Sequence, residues 1–180
     1  MRIAIIGAPG SGKTTQSELL AKSLNVPVIS IGEDLRDVSR GDSKEAEEIR
    51  VFLEKGELVP DEISISFLRR HLSEREFEIK KGFILDGMPR TFGETRSLMQ
   101  LFAFDRVFHL RTNLSVSLER LLKRGRSDDQ TKIVSRRFEI YEQENRAILE
   151  IYRNLGILVE VDASNPSVSD VHREIVSQLR

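Results

Sequence analysis

The chain has no cysteine. That excludes disulfides and any cysteine-ligated zinc, and it suits a reducing compartment. Neither sign of charge dominates, with 28 Lys+Arg against 29 Asp+Glu and a formal net charge of −1. No global basic field therefore draws nucleic acid or an anionic membrane surface. No apolar run approaches the roughly 20 residues that span a bilayer. The first residues read as a strand, Arg2 to Ile6, and not as a signal peptide. Repeats, low-complexity tracts and linkers are also missing. The expectation is one domain, soluble, cytoplasmic and monomeric, and at 180 residues long enough to bury a real core.

What is present is concentrated near the start. The apolar run Ile3-Ala4-Ile5-Ile6 leads into Gly7-Ala8-Pro9-Gly10-Ser11-Gly12-Lys13-Thr14, which fits G-x-x-x-x-G-K-[ST] without a mismatch. A helical pattern follows at once, so the strand–loop–helix context that the motif needs is in place. Glycines let the backbone turn sharply, so that several N–H groups point into one concavity that a polyphosphate fills. The helix adds the positive end of its dipole. Lys13 supplies a mobile positive charge for the phosphates, and Thr14 a hydroxyl near Mg2+.

Short apolar runs alternate with longer helical patterns, which argues for an α/β fold with a parallel sheet covered on both faces. Strands are expected at Arg2–Ile6, Pro27–Ser30, Gly82–Asp86, Arg106–Leu110 and Ile157–Val161. Helices are expected at about Lys13–Leu24, Ser43–Lys55, Asp61–Lys80, Thr91–Leu101, Leu114–Arg124, Thr131–Asn154 and Val168–Leu179. The stretch 31–80 has helical patterns and no strand, and reads as an insert hinged on the sheet. The polar stretch 125–132 reads as a short exposed loop.

Asp86 ends the apolar strand Phe83-Ile84-Leu85. A carboxylate there points to the edge where open α/β sheets bind ligands, and beside a P-loop it would hold Mg2+ or its waters. The alternative is a turn acid beside Gly87. Arginines gather downstream. Arg90 follows the turn, Arg120 and Arg124 are one helical turn apart, and Arg126 is in the loop. Their helix should bury Leu114, Leu118, Leu121 and Leu122. Arg137 sits inside the apolar stripe of Val134, Phe138, Tyr141, Ile148 and Tyr152, where a guanidinium is costly unless paired. It either grips a phosphate with its planar fork or forms a structural ion pair with Glu144 or Asp129. No Ser-His-Asp or Cys-His arrangement exists, and His71, His109 and His172 are scattered surface or core residues.

Together these motifs resemble the adenylate kinase family of nucleoside monophosphate kinases, along nearly the whole chain. The likeness rests on the P-loop with Thr14-Thr15-Gln16 and on Ser30-Ile31-Gly32-Glu33-Asp34-Leu35-Arg36. It continues through Gly56-Glu57-Leu58-Val59-Pro60-Asp61 and Gly82-Phe83-Ile84-Leu85-Asp86-Gly87-Met88-Pro89-Arg90-Thr91. It ends with Arg126-Ser127-Asp128-Asp129 followed by Arg137 and Tyr141.

The resemblance implies a P-loop three-layer fold around a five-stranded parallel sheet, a single domain over 1–180. Its core would be 1–30, 81–124 and 133–180, with a helical monophosphate-binding insert at 31–80 and a very short lid at 125–132. It implies phosphoryl transfer from Mg·ATP to AMP, with Mg2+ as cofactor, no zinc, and no nucleic-acid or membrane partner. Catalytic roles would fall to Lys13, Arg90, Arg124, Arg126 and Arg137. ATP would be held by Gly10, Ser11, Gly12, Lys13, Thr14, Thr15, Arg120 and Arg124, with Arg120 stacking on the adenine. AMP would be held by Ile31, Arg36, Val59, Gly87, Arg90, Glu94, Arg126 and Arg137. Thr14 and Asp86 would serve Mg2+, through water. Asp128 and Asp129 would hold lid arginines or cap a helix.

Three departures from the family pattern stand out. The lid has no spacer between Arg124-Gly125 and Arg126, and is too short for a zinc-binding form. The Thr that borders the AMP base is Ile31. The Gln that reads the adenine edge is Glu94, whose carboxylate only accepts hydrogen bonds and suits the adjacent donors of guanine better. Other acceptors, GMP or a pyrimidine monophosphate, and a non-catalytic ATP-binding module are the alternative readings.

Overall fold

The computed structural model describes residues 1–126, 128–164 and 167–179. Five strands form one parallel sheet: β1 (Arg2–Gly7), β2 (Val28–Ile29), β3 (Phe83–Asp86), β4 (Arg106–Arg111) and β5 (Leu158–Asp162), in the order β2-β3-β1-β4-β5. Between them run α1 (Lys13–Leu24), α2 (Ile31–Val38), α3 (Lys44–Lys55), α4 (Asp61–Glu74), α5 (Glu76–Ile79), α6 (Phe92–Leu101), α7 (Leu114–Arg124) and α8 (Thr131–Asn154), and α9 (Val168–Ser177) follows β5. The three-layer α/β class and the five-stranded parallel sheet read from the sequence are both present.

The central strand is apolar throughout because both its faces are covered. Successive side chains point to opposite faces, and β1 divides its residues accordingly. Ile3 and Ile5 join Leu20 of α1 and Val171 and Ile175 of α9 in one core. Ala4 and Ile6 join Leu68 of α4, Leu98 of α6 and Ile148, Leu149 and Tyr152 of α8 in the other. The same alternation places Asp86 and His109. Ile84 lies on the α1 side, so Asp86 emerges beside α1. Phe108 and Leu110 lie on that side too, so His109 points toward α8.

Three elements differ from the sequence reading. Residues 31–38 form a helix, α2, that the pattern did not announce, because it is short and has Gly32 in its first turn. The helix expected over Asp61–Lys80 is broken at Arg75, which adopts φ −112°, ψ 24°. The expected apolar face of α7 is largely in solvent: Leu114, Leu118 and Leu122 are exposed, and Leu121 alone of the four is buried. α7 meets the rest of the molecule along a narrow edge, where Ser117 and Leu121 back onto Gly10. No described helix is long and apolar enough to cross a membrane.

Candidate active site

The turn after β1 is shaped by its glycines. Gly10 has φ +78°, and a Cβ there would run into the Ser117 carbonyl of α7. Gly12 has φ +92° and is the N-cap of α1. L side chains rarely adopt either conformation. No side chain caps the first turn of α1, so its free N–H groups and dipole face the loop's concavity, the geometry of an anion site.

That concavity is the floor of a cavity of about 600 Å3 above the C-terminal ends of the strands. Gly10, Ser11, Gly12, Lys13, Thr14 and Thr15 line it, with Asp86 and Gly87 from the end of β3. Seven cationic side chains converge there: Lys13, Arg36, Arg90, Arg120, Arg124, Arg126 and Arg137. They come from α1, α2, the turn after β3, α7, the following loop and α8. Placing so many cations around one water-accessible space is costly without anions to share it.

Two of the cations are shifted by burial first and by that crowding second. Burial lowers the Lys13 pKa to about 8, with Arg90, Arg124 and Arg137 adding to the effect and Asp86 opposing it. Burial and the nearby charge of Arg126 lower Arg36 to about 10.

Two kinds of partner hold the cations. Lys13 Nζ donates to the carbonyls of Gly7 and Ala8, both at 2.8 Å. Arg90 Nε donates to Gly87 O at 2.7 Å and Arg120 to Ala163 O at 2.8 Å. Arg124, Arg126 and Arg137 meet carboxylates. Arg124 Nε and Nη2 grip Asp129 at 2.9 and 2.5 Å, and Arg137 Nη2 meets Asp128 Oδ2 at 2.6 Å. Arg126 lies 3.6 Å from Glu33 of α2. Asp129 also accepts the backbone N–H of Arg126 at 3.1 Å, so it caps the turn as well as pairing. Burial would raise the Asp128 pKa, but the hydrogen bond and charge of Arg137 outweigh it and the net shift is downward. The ion-pair partner of Arg137 is thus Asp128. Glu144 instead accepts the Phe92 N–H at 3.0 Å. Ser127, part of the same motif, lies outside the described residues.

Asp86 Oδ2 accepts from Thr14 Oγ1 at 2.8 Å and from Ser30 Oγ at 3.3 Å. Its Oδ1 is buried without a partner among the described residues. A carboxylate oxygen left over beside a hydroxyl is a hard oxygen donor set with spare capacity, which fits Mg2+ held through water and phosphate oxygens.

The remaining expected site residues, Ile31, Val59 and Glu94, do not line the cavity, and all three are buried behind its wall. Leu35, Leu53 and Leu58 line it in their place, beside Tyr141, Asn145 and Ile148 of α8. The sequence reading missed the leucines. The available signal was their place in or just before the stretches 30–36 and 56–61. None of the three histidines lines the cavity. His109 lies directly behind Tyr141, its Nε2 2.7 Å from the Tyr141 hydroxyl and its Nδ1 3.2 Å from Glu160. Burial lowers its pKa despite Glu160, while burial pushes Tyr141 up to about 12.

A glycine loop between a central parallel strand and a helix, with a strand-end acid facing it, defines the P-loop nucleotide-binding class. Sequence comparison narrows this. The adenylate kinase family model matches residues 5–157. Adenylate kinase of Rhodopirellula baltica is 38% identical over 188 residues, covering 99% of this chain and 95% of that protein. Adenylate kinase of Bifidobacterium longum is 35% identical, covering 99% and 100%, and that of Prochlorococcus marinus 34%, covering 99% and 96%. The chain belongs to the adenylate kinase family.

Proposed function

We propose that the protein transfers the terminal phosphoryl group of Mg·ATP to AMP, reversibly, giving two ADP. An AMP phosphate oxygen attacks the γ-phosphorus in line. The bond to the β–γ bridging oxygen breaks, and the β-phosphate leaves with ADP. Catalysis of this step is mostly positioning and electrostatic stabilisation, and the observation that carries the proposal is the convergence of seven cations on one cavity.

The loop 10–15 would cradle the ATP phosphates with backbone N–H groups, and Lys13 would leave its two carbonyls to follow the transferred group. Arg120 would lie on the adenine. Arg36 and Arg90 would hold the AMP phosphate, beside Gly87. Arg124, Arg126 and Arg137 would surround the transfer point, exchanging Asp129, Glu33 and Asp128 for phosphate oxygens. Thr14 and Asp86 would hold Mg2+, which when bound neutralises charge developing on the phosphates. Segments 31–80 and 125–132 would be the parts that close over the substrates and exclude water.

The test is ADP formation from Mg·ATP with AMP, GMP, CMP and UMP offered in turn. The expected result is two ADP per ATP consumed, fastest with AMP. ATP hydrolysis indifferent to every monophosphate would overturn the proposal, and a faster rate with GMP would move the acceptor assignment.

A further inference from the structure

Glu94 occupies the position from which an acceptor base would be read, yet its side chain is engaged elsewhere. The residue is 2% exposed, and the cavity wall at this point is Pro89 and Arg90. Glu94 Oε2 accepts the backbone N–H of Arg90 at 2.6 Å. Its own N–H is capped by Thr91 Oγ1 at 2.9 Å. This is a capping box in which the carboxylate reaches one residue further back than usual, to the residue before the N-cap. The Thr91 hydroxyl in turn donates to Asp61 Oδ1 at 2.9 Å, at the start of α4.

Arg90 is therefore held at two points. Glu94 fixes its backbone and the Gly87 carbonyl fixes Nε. Its guanidinium packs against Gly32 of α2, where an added Cβ would lie 2.5 Å from Nη2. Moving the Arg90 backbone would swing that guanidinium away from Gly32 and from Arg36 on the same helix. A charge-assisted bond to a backbone N–H is among the stronger ones, and a buried carboxylate that lost it would keep only the Ser64 hydroxyl as a partner. Burial raises the Glu94 pKa, while the charge and N–H of Arg90 oppose that rise.

We propose that Glu94 is a positioning residue, which fixes Arg90 through this backbone hydrogen bond and does not read the acceptor base. The proposal rests on the acceptor-phosphate role of Arg90 given above. The wall near α2 and α3 then offers the base Leu35, Leu53 and Leu58, which discriminate by shape rather than by hydrogen bonds.

Calorimetric titration of AMP and GMP into the wild type, Glu94→Gln and Glu94→Ala tests this without requiring turnover. The Gln amide oxygen still accepts the Arg90 N–H. Glu94→Gln is expected to keep both Kd values within about threefold, and Glu94→Ala to weaken both about tenfold. The ratio of the two Kd values should stay within about twofold of wild type in every variant. A tenfold change of that ratio in Glu94→Gln would make Glu94 a base reader and overturn the proposal. So would wild-type affinity in a folded Glu94→Ala, because the bond would then position nothing. Thermal melting identifies an unfolded Ala variant, and the Gln ratio then decides alone. Wild-type turnover with AMP is read separately, so its absence would count against the proposed reaction and leave the binding ratios to judge Glu94.

Discussion

The two sides of the cavity hold their cations differently. On the core side, Lys13 and Arg90 rest on backbone carbonyls of the loop and of the turn after β3. On the side of α7, α8 and the loop between them, Arg124 and Arg137 rest on Asp129 and Asp128. A carbonyl is a neutral partner that a phosphate oxygen readily replaces, and the loop it belongs to is fixed between β1 and α1. A carboxylate is a competing anion, and Asp128 and Asp129 sit on the short segment between two helices. In the proposed reaction, phosphate binding on the core side would cost no ion pair. On the other side it would have to exchange one, so the ion pairs would set how the second set of arginines becomes available.

The largest effect is expected at Lys13. Lys13→Ala should lower kcat/KM by two or three orders of magnitude, since losing one donor to the developing charge costs roughly 3 kcal/mol. Its partners are carbonyls, so thermal unfolding should be unchanged or slightly improved. A strong loss of stability would show that Lys13 holds the loop together and would blur the contrast between the two sides.

A smaller effect concerns protons. Lys13 titrates near 8 in the free protein, below its ordinary 10.5. The unfolded chain therefore binds this proton more tightly, and stability contributed by Lys13 rises with pH between those values. ATP would restore the charged form. At about pH 9 binding should take up close to one proton, read as a buffer-dependent binding enthalpy. Proton-neutral binding would mean that Lys13 is already charged in the empty site.

The smallest effect is expected for Glu33, which is half exposed and 3.6 Å from Arg126. Exposed pairs contribute about 0–1 kcal/mol. Glu33→Gln should change the unfolding free energy by less than about 1 kcal/mol. A larger change in urea titration would place Arg126 with the tightly paired arginines.

The strand-centred features were legible because burial on both faces writes itself as short apolar runs. The loop over Gly7–Thr14 and Asp86 followed from the ends of those runs. The pairings on the far side were not. Asp128 and Arg137 are nine residues apart, a separation with no helical or strand period, and only the turn capped by Asp129 brings them together. The face of α7 misled for a related reason: a stripe of leucines records periodicity and not what packs against it. Glu94 was legible as a departure from the family pattern. Its hydrogen bond to Arg90 depends on the cap that Thr91 makes, which the residue type alone does not announce.

Arg137→Ala, with turnover and unfolding free energy measured on the same protein, tests the contrast most directly. If Asp128 holds this arginine in reserve for phosphate, kcat/KM should fall at least a hundredfold, by roughly 3 kcal/mol of lost transition-state stabilisation. Stability should fall by about 1–3 kcal/mol, from the largely buried Asp128 carboxylate left without its guanidinium. Near-normal turnover alongside the same loss of stability would contradict the account and make Arg137–Asp128 a structural pair.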